Sequence, residues 1–212
     1  MKKVVGAAEI RRALIRIAHE IIEKNNGIKD IILIGIKRRG DYIARRLADF
    51  MKTTEKRRIP IGALDITLYR DDLQLASDMP IIESTDIPFD VTNRIVVLVD
   101  DVLYTGRTIR AAIEEILDFG RPKAIQLAVL VDRGHRELPI QADYTGKKMP
   151  AARNEIIDVL VREIDGEDCI VIHDRRKKTK KQFGNQKTRI GLKQVSEPMV
   201  KQLKIGGSED ES

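Results

Sequence analysis

Short apolar runs alternate with amphipathic segments along most of this chain of 212 residues. A short run of consecutive apolar residues is typical of a strand covered on both faces, and apolar residues at three- and four-residue steps predict a helix. The pattern predicts strands within 30–35, 59–68, 95–99, 125–131, 156–161 and 169–172, and helices over 9–24, 41–51 and 108–119. This alternation favours the α/β class, with a mostly parallel twisted sheet flanked by helices.

Composition excludes several other classes of protein. The chain is 42% hydrophobic, which is enough for a packed core and excludes a wholly disordered chain. No apolar run approaches the roughly 18 residues of a membrane-spanning helix, and the first residues are too charged for a secretory signal. The single cysteine, Cys169, excludes a disulfide framework and a cysteine-rich zinc site. We therefore expect a soluble, cytoplasmic protein.

The net charge of +6 is unevenly distributed. Residues 1–174 hold 28 Lys/Arg and 29 Asp/Glu, a net charge of −1, whereas residues 175–212 hold 11 and 4, a net charge of +7. We predict a nearly neutral folded domain over 1–174 and a basic, disordered C-terminal extension over 175–212. Such an extension is either a solvated tail or a source of nonspecific contacts to nucleic-acid phosphates.

The most informative motif begins in the strongest apolar run. Two adjacent carboxylates follow the run, and a turn with Thr105, Gly106 and Thr108 then leads into a predicted helix. Ligands of open α/β sheets bind at the carboxyl ends of the strands, and helix N-termini bind phosphate. The carboxylates can accept hydrogen bonds from ribose hydroxyls or hold water on Mg²⁺, so the pattern fits a phosphorylated sugar. The alternative without a ligand is a strand that ends in two solvated acids before an ordinary capped turn. This alternative accounts for the two acids, but it accounts less well for the acids together with the Thr-Gly turn and the helix.

This motif resembles the phosphoribosyl-pyrophosphate (PRPP) motif of the type I phosphoribosyltransferases. Purine-salvage members commonly carry an Asp before the Thr-Gly pair, where this chain has Tyr104, which favours a pyrimidine. The version here looks like that of the PyrR family of pyrimidine-operon regulators, which are also uracil phosphoribosyltransferases. Further stretches resemble that family in the same order, over about residues 9–174: IRRALIRIAHEII (10–22), GIKRRG (35–40), DITLYRDDL (65–73), DIPFDV (86–91), QLAVLVDRGHRELPI (126–140) and ADYTGK (142–147).

The resemblance implies a type I phosphoribosyltransferase fold, with a small hood and a flexible loop over 69–90. It implies a PRPP site formed by Val97, Leu98, Val99, Asp100, Asp101, Val102, Leu103, Tyr104, Thr105, Gly106, Arg107, Thr108 and Ile109. Asp100 and Asp101 would position the ribose and hold Mg²⁺ through water or PRPP. A loop of Lys37, Arg38, Arg39 and Gly40 would bind pyrophosphate, and three consecutive cations after a buried strand suit a polyanion independently of the resemblance. A solvated basic turn is the alternative.

The implied reaction converts uracil and PRPP into UMP and pyrophosphate. Arg70, on the flexible loop, would contact the pyrophosphate and is expected to be catalytic with Asp100 and Asp101; an ordinary mobile surface loop fits the residues equally well. Asp132, Arg133 and Gly134 would bind the uracil. The sequence offers no evident general base, so positioning and stabilisation of the leaving group are the preferred source of catalysis.

The family also binds pyrimidine-operon leader mRNA, favoured by uridine nucleotides such as UMP and UTP, and so attenuates transcription. The matching RNA-binding positions are Arg16, His19, His135, Arg136 and Lys147. Two positions depart from the family pattern: Ile15 stands where many members have Thr, and Gln141 where they have Arg. These departures bear on RNA affinity and leave the transferase positions intact.

Three functions therefore remain open. The main expectation is a uracil phosphoribosyltransferase that also regulates by binding RNA. The alternatives are a transferase whose specific RNA binding is weakened or lost, and an RNA-binding regulator with a vestigial catalytic site. The family further implies a homodimer or a higher homo-oligomer.

Overall fold

The computed structural model describes residues 2–66 and 84–174. Eight strands and four helices lie in this described part. In chain order they are β1 (Lys2–Gly6), α1 (Ala7–Lys24), β2 (Ile31–Ile36), α2 (Gly40–Glu55), β3 (Ile61–Leu64), β4 (Ile95–Leu103), α3 (Arg107–Asp118), β5 (Ala124–Asp132), β6 (Tyr144–Lys148), β7 (Glu155–Leu160), α4 (Arg162–Asp165) and β8 (Cys169–Asp174).

The larger sheet has five strands in the order β3-β2-β4-β5-β6, and every neighbouring pair is parallel. The central strand β4 is therefore flanked by two strands on each side, and all five carboxyl ends meet at one edge. All six residues of β2 are buried, as a strand covered on both faces requires. The prediction of a parallel sheet flanked by helices is confirmed.

Alternate residues of β2 enter two separate hydrophobic clusters. On one face of the sheet, Ile31 and Leu33 pack in the cluster that α1 and α2 complete. On the other face, Ile32 and Ile34 pack in the cluster that α3 completes. Because side chains alternate along a strand, continuous apolar runs are needed to cover both faces with helices. The sheet is thus held between two cores, and its carboxyl edge is left for the site.

The last two apolar runs of the sequence do form strands, β7 and β8, but they lie outside the parallel sheet. They pair antiparallel with each other, and β1 pairs antiparallel with β8, in a separate three-stranded sheet ordered β1-β8-β7. We call this sheet, together with α4, the hood. Its inner residues, such as Ile157, Val159 and Ile170, join the same cluster as α1 and α2. The hood is therefore anchored on one layer of the main domain.

Several elements differ from the sequence expectation. Of the expected strand 59–68, the structure describes residues 59–66, and β3 covers Ile61–Leu64 of these. Strand β4 continues past 95–99 to Leu103 and includes both acids. Strands β1 and β6 were not predicted, because KKVVG and YTGKK are short and carry exposed polar residues. In the described part of the chain, no helix is long and apolar enough to cross a membrane.

Candidate functional site

Two carboxylates project from the end of the central strand. Asp100 is buried, with 6% of its surface exposed, and its Oδ1 accepts a hydrogen bond of 2.8 Å from the backbone N–H of Asp101. Asp101 Oδ1 in turn accepts a hydrogen bond of 2.9 Å from the N–H of Val102. These local bonds fix the orientation of both carboxyl groups. Carboxylate oxygens have lone pairs for several donors, so a pair of this kind suits ribose hydroxyls or a cation.

Burial raises the pKa of the Asp101 carboxyl, against the lowering effects of the Asp100 side chain and of the Arg39 charge. When two adjacent carboxyl groups are poorly solvated, ionisation of the second is unfavourable unless a hydrogen-bond donor or a cation compensates its negative charge. Ribose hydroxyls or a divalent cation would be such partners. No group of three or more His, Cys, Asp or Glu side chains able to hold a metal occurs among the residues that the structure describes.

The turn after β4 presents backbone amides at the start of α3. Gly106 has a φ of 94°, which is left-handed and unstrained for glycine, and as the N-cap residue it offers no side chain to the amides of this helix. The Arg107 N–H donates a long hydrogen bond of 3.4 Å to Thr105 Oγ1. The Thr105 carbonyl accepts hydrogen bonds from the N–H groups of Glu137 and Leu138, at 2.9 and 3.2 Å, so the turn is tied to the next loop. The N–H groups of the first turn of a helix bind anions such as phosphate.

The cationic loop of residues 37–40 lies against the same strand end. A Cβ atom on Gly40 would be 2.4 Å from the Val99 carbonyl oxygen and 3.2 Å from the Asp100 Cα, so only glycine fits there. Lys37 Nζ donates a hydrogen bond of 2.7 Å to the Ser84 carbonyl, and the Lys37–Arg38 peptide bond is cis. The structure thus brings the predicted pyrophosphate loop beside the two acids.

Arg39 differs from its neighbours because it is paired with the hood. Its Nε and Nη2 donate to the two carboxylate oxygens of Asp165, at 3.1 and 2.9 Å. The hydrogen bonds that Arg39 donates to Asp165 raise the pKa of Arg39, and burial opposes this shift. The pKa of Asp165 is held below its ordinary value. Burial raises this pKa, but the hydrogen bonds from Arg39 and from the Val161 N–H together lower it by more. Sequence reasoning gave no reason to single out Asp165.

The predicted uracil residues follow β5 at the same edge. Asp132 Oδ1 accepts a hydrogen bond of 2.9 Å from the Gly134 N–H. Arg133 is 7% exposed, and its guanidinium lies 3.8 Å from the centre of the Tyr104 ring, a close cation–π contact. The same guanidinium donates to the Ala152 and Glu155 carbonyls, at 3.2 and 2.5 Å. Arg133 therefore joins the turn after β4 to the start of β7 in the hood.

Arg136, which was predicted to contact RNA, donates its hydrogen bonds to groups within the protein. It donates to the carbonyls of Ile140, Leu103, Tyr104 and Gly134, at 2.8–3.3 Å, and to the Asp132 carboxylate at 2.7 Å. His135 lies beside it with Nε2 2.8 Å from the Ala151 carbonyl oxygen, although the residue is exposed. The geometry gives Arg136 the role of holding the loops after β4 and β5 together.

The remaining predicted RNA residues share one surface, where α1 packs on β6. Arg16 pairs with Glu20 and donates to the Thr145 and Gly146 carbonyls, at 3.1 and 2.6 Å, and Lys147 pairs with Glu9. His19 is exposed on the same helix. Of the two departures from the family pattern, Ile15 is half-buried on α1 and Gln141 is exposed before β6. Arg70 lies outside the described residues, as do residues 175–212.

Known proteins include relatives of this chain. The sequence matches the phosphoribosyl transferase domain family over residues 6–161. A bifunctional protein PyrR of Caldicellulosiruptor bescii is 56% identical over 171 residues, which are 81% of this chain and 94% of that protein. The bifunctional protein PyrR of Pelotomaculum thermopropionicum is 60% identical over 163 residues, 77% and 90% of the two chains.

Solved structures agree on the fold. A hypoxanthine phosphoribosyltransferase of Trypanosoma cruzi matches with a TM-score of 0.67 at 18% identity, covering 86% of this chain and 95% of that one. A hypoxanthine phosphoribosyltransferase of Staphylococcus aureus matches with a TM-score of 0.60 at 19% identity, covering 80% and 90%. At such identities the similarity concerns architecture: the arrangement of the sheet and its carboxyl edge is shared.

The close approach of Gly40 to β4 is testable. We expect Gly40→Ala to lower the free energy of unfolding by about 2–3 kcal/mol, because the new methyl group meets a backbone carbonyl that cannot move aside. Gly6→Ala is the control, since a Cβ there meets no atom within 4 Å, and its cost should stay below about 1 kcal/mol. Urea denaturation measures both, and equal costs for the two variants would contradict the proposed contact.

The role of Arg136 is tested by Arg136→Lys, which keeps the charge but loses the planar fork. A lysine cannot reach the Tyr104 and Ile140 carbonyls and Asp132 together, so we expect a loss of about 1–3 kcal/mol in stability. Amide hydrogen exchange should accelerate in residues 103–106 and 132–140 and stay unchanged in α1. Unchanged exchange in both loops would show that Arg136 does not hold them.

Proposed function

The chain belongs to the phosphoribosyl transferase domain family, among the bifunctional PyrR proteins, and we propose that it transfers the phosphoribosyl group of PRPP to uracil and also binds pyrimidine-operon leader mRNA. The single observation that carries the transferase assignment is a convergence at the carboxyl end of β4. There Asp100 and Asp101, the start of α3 and the loop of Lys37–Gly40 meet within one site. Acids, amides and cations in that order match the ribose, the 5-phosphate and the pyrophosphate of PRPP.

The residues divide the work of binding PRPP by charge. The N–H groups at the start of α3, with the Thr105 and Thr108 hydroxyls, take the 5-phosphate. Asp100 and Asp101 accept hydrogen bonds from the vicinal ribose hydroxyls. The cationic loop takes the pyrophosphate, with Arg70 as a further proposed contact. The three groups of residues thereby fix the C1 carbon of the ribose relative to the base, which supplies the positioning part of catalysis.

The site also suits Mg²⁺, which the phosphoribosyltransferase family uses with PRPP. The Asp100 and Asp101 carboxylates provide hard oxygen ligands, and this ion is commonly held by one or two carboxylates together with water and substrate phosphates. A bound cation beside Asp101 would also offset the burial that raises the pKa of its carboxyl. When bound, Mg²⁺ supplies positive charge to the pyrophosphate oxygens.

The reaction breaks the bond from C1 to the pyrophosphate oxygen and forms a bond from C1 to uracil N1, whose proton is released. Positive charge develops on the ribose ring as the leaving group departs. Cations of the loop stabilise the departing pyrophosphate, and the carboxylates stabilise and orient the ribose. No residue is assigned as general base, and leaving-group stabilisation with positioning is the proposed source of the rate.

Tyr104 and Arg133 support a pyrimidine as the acceptor base. Where purine-salvage members have an acid, this chain has an aromatic ring that stacks on Arg133. The contact fixes the turn after β4 relative to the loop of Asp132–Gly134, whose backbone groups are then able to read the edge of a small base. We propose uracil as that base and UMP as the product.

The transferase assignment is tested by supplying PRPP and Mg²⁺ with uracil, cytosine or hypoxanthine and measuring pyrophosphate release. We expect turnover with uracil. Asp101→Asn should lower kcat/KM by about 100-fold, because it removes a charge from beside the reacting ribose. Asp118→Asn, on the exposed end of α3, is the control and should change it by less than about twofold. Turnover with hypoxanthine and none with uracil would contradict the base assignment.

The second proposed activity is binding of leader mRNA, stimulated by UMP or UTP, at the surface where α1 packs on β6. Its support is the placement of Arg16, His19 and Lys147 on that one surface. Cations there would contact phosphates and the exposed imidazole a base. The competing proposal is a transferase with weakened RNA binding, favoured by Ile15 and Gln141. We also propose a cytoplasmic homodimer or higher homo-oligomer.

RNA binding is tested with the leader of the operon in the full chain, with and without UMP. His19→Ala should weaken binding by about tenfold, the loss of one base contact. Gln141→Arg should tighten binding and steepen its dependence on salt by about 0.7–0.9 in log–log slope, the effect of one added phosphate contact. Transferase activity should be unchanged in both variants. Weak binding that UMP does not affect would favour the competing proposal.

A further inference from the structure

The ion pair between Arg39 and Asp165 joins the proposed pyrophosphate loop to the hood, and no role has been given to its acidic member. Asp165 is well fixed: besides the two bonds from Arg39, its Oδ2 accepts a hydrogen bond of 2.9 Å from the Val161 N–H. The Asp165 side chain is 17% exposed and that of Arg39 is 31% exposed. The carboxylate is thus the more buried and the better anchored of the two partners.

Asp165 occupies only one edge of the Arg39 guanidinium. The Nε and one Nη2 hydrogen point to the carboxylate, and Nη1 donates no hydrogen bond to any residue in the part of the chain that the structure describes. A guanidinium has five N–H donors in one plane, so three remain, and two of them, one on Nη1 and one on Nη2, form its end-on edge. That edge has the fork geometry with which arginine binds phosphate oxygens.

The surrounding charges are consistent with a guanidinium oriented between two sites. Asp101 and Asp158 both act on the Arg39 charge, in addition to Asp165. Arg39 therefore stands between a carboxylate of the proposed ribose site and two carboxylates of the hood. A side chain of this length would otherwise be free to turn among several rotamers, and a fixed carboxylate on one edge removes that freedom before a ligand arrives.

A neighbouring ion pair provides a comparison. Arg46, on α2, donates to Glu163 at 2.9 and 2.6 Å and to Asp168 at 2.7 Å, so it ties α2 to the hood as Arg39 ties the loop before α2. Arg46 is seven residues farther along the chain from the loop, whereas Arg39 directly precedes Gly40, which touches the end of β4. The two pairs make similar links to the hood, but only one of them borders the proposed site.

We propose that Asp165 is a positioning residue of the transferase: it holds one edge of Arg39 so that the other edge meets the pyrophosphate of PRPP. The inference rests on the proposed function and deepens it, because it makes the hood part of the pyrophosphate site. Asp165 touches no substrate and acts only through Arg39. Its contribution is to the binding of PRPP, and hence to KM, more than to the rate of the bound complex.

Asp165→Asn tests the proposal, since asparagine keeps the shape but loses the charge and one acceptor. We expect KM for PRPP to rise by about tenfold with kcat within about threefold, and calorimetry of PRPP with Mg²⁺ to show binding weaker by about tenfold. Glu163→Gln is the matched control on the same short helix, and it should leave both quantities within about twofold. Thermal denaturation of both variants checks that each is folded at the assay temperature.

A double-variant cycle keeps the proposal testable even if Asp165→Asn is less stable. Arg39→Lys removes the fork, so adding Asp165→Asn to it should weaken PRPP binding by no more than about twofold further. Suppose that Asp165→Asn and Arg39→Lys are both less stable but Asp165→Asn binds PRPP as tightly as the unaltered protein, or more tightly. This result would overturn the proposal, because the ion pair would then serve only to stabilise the fold. Failure of the unaltered protein to bind PRPP would instead overturn the proposed function and this inference with it.

Discussion

The contact between the Gly40 backbone and the end of β4 is the constraint on which the site depends. Because no side chain fits between Gly40 and the Val99 carbonyl, the cationic loop is brought beside the two acids of the central strand. The parallel sheet supplies the rest, since it places the end of β4, the start of α3 and the loop after β5 at one edge. Opposite charges can then be arranged around a phosphorylated sugar at short distances.

Arginines illustrate how similar side chains take different tasks in this structure. Arg133 and Arg136 use their donors on backbone carbonyls and so hold together the loops that border the site. Arg46 ties α2 to the hood through two carboxylates. Arg39 shares this bracing role on one edge, and in the proposal above its other edge binds the pyrophosphate. Every arginine carries the same charge. What distinguishes an arginine that holds the fold together from one that can bind a ligand is the number of its N–H donors that already bond within the protein.

Much of the fold and site could be predicted from the sequence because the signals were local. Continuous apolar runs predicted the parallel strands, and the acids of β4 followed one run directly. The hood required pairing of β1 with β8 across most of the chain, which no local pattern reveals. The partners of Arg133, Arg136 and Arg39 are likewise distant in sequence. The sequence consequently predicted a cationic loop and an RNA contact at Arg136 without indicating the bonds those residues make.

A crystal structure of the protein with PRPP and Mg²⁺ tests the account most directly, because it locates each part of the substrate. The account predicts the 5-phosphate on the N–H groups at the start of α3, the ribose hydroxyls on Asp100 and Asp101, and the pyrophosphate against the loop of Lys37–Gly40. It further predicts that Arg39 still bonds to Asp165 while its other edge faces the pyrophosphate. A phosphate bound away from the start of α3, or ribose hydroxyls that do not touch the two acids, would contradict it.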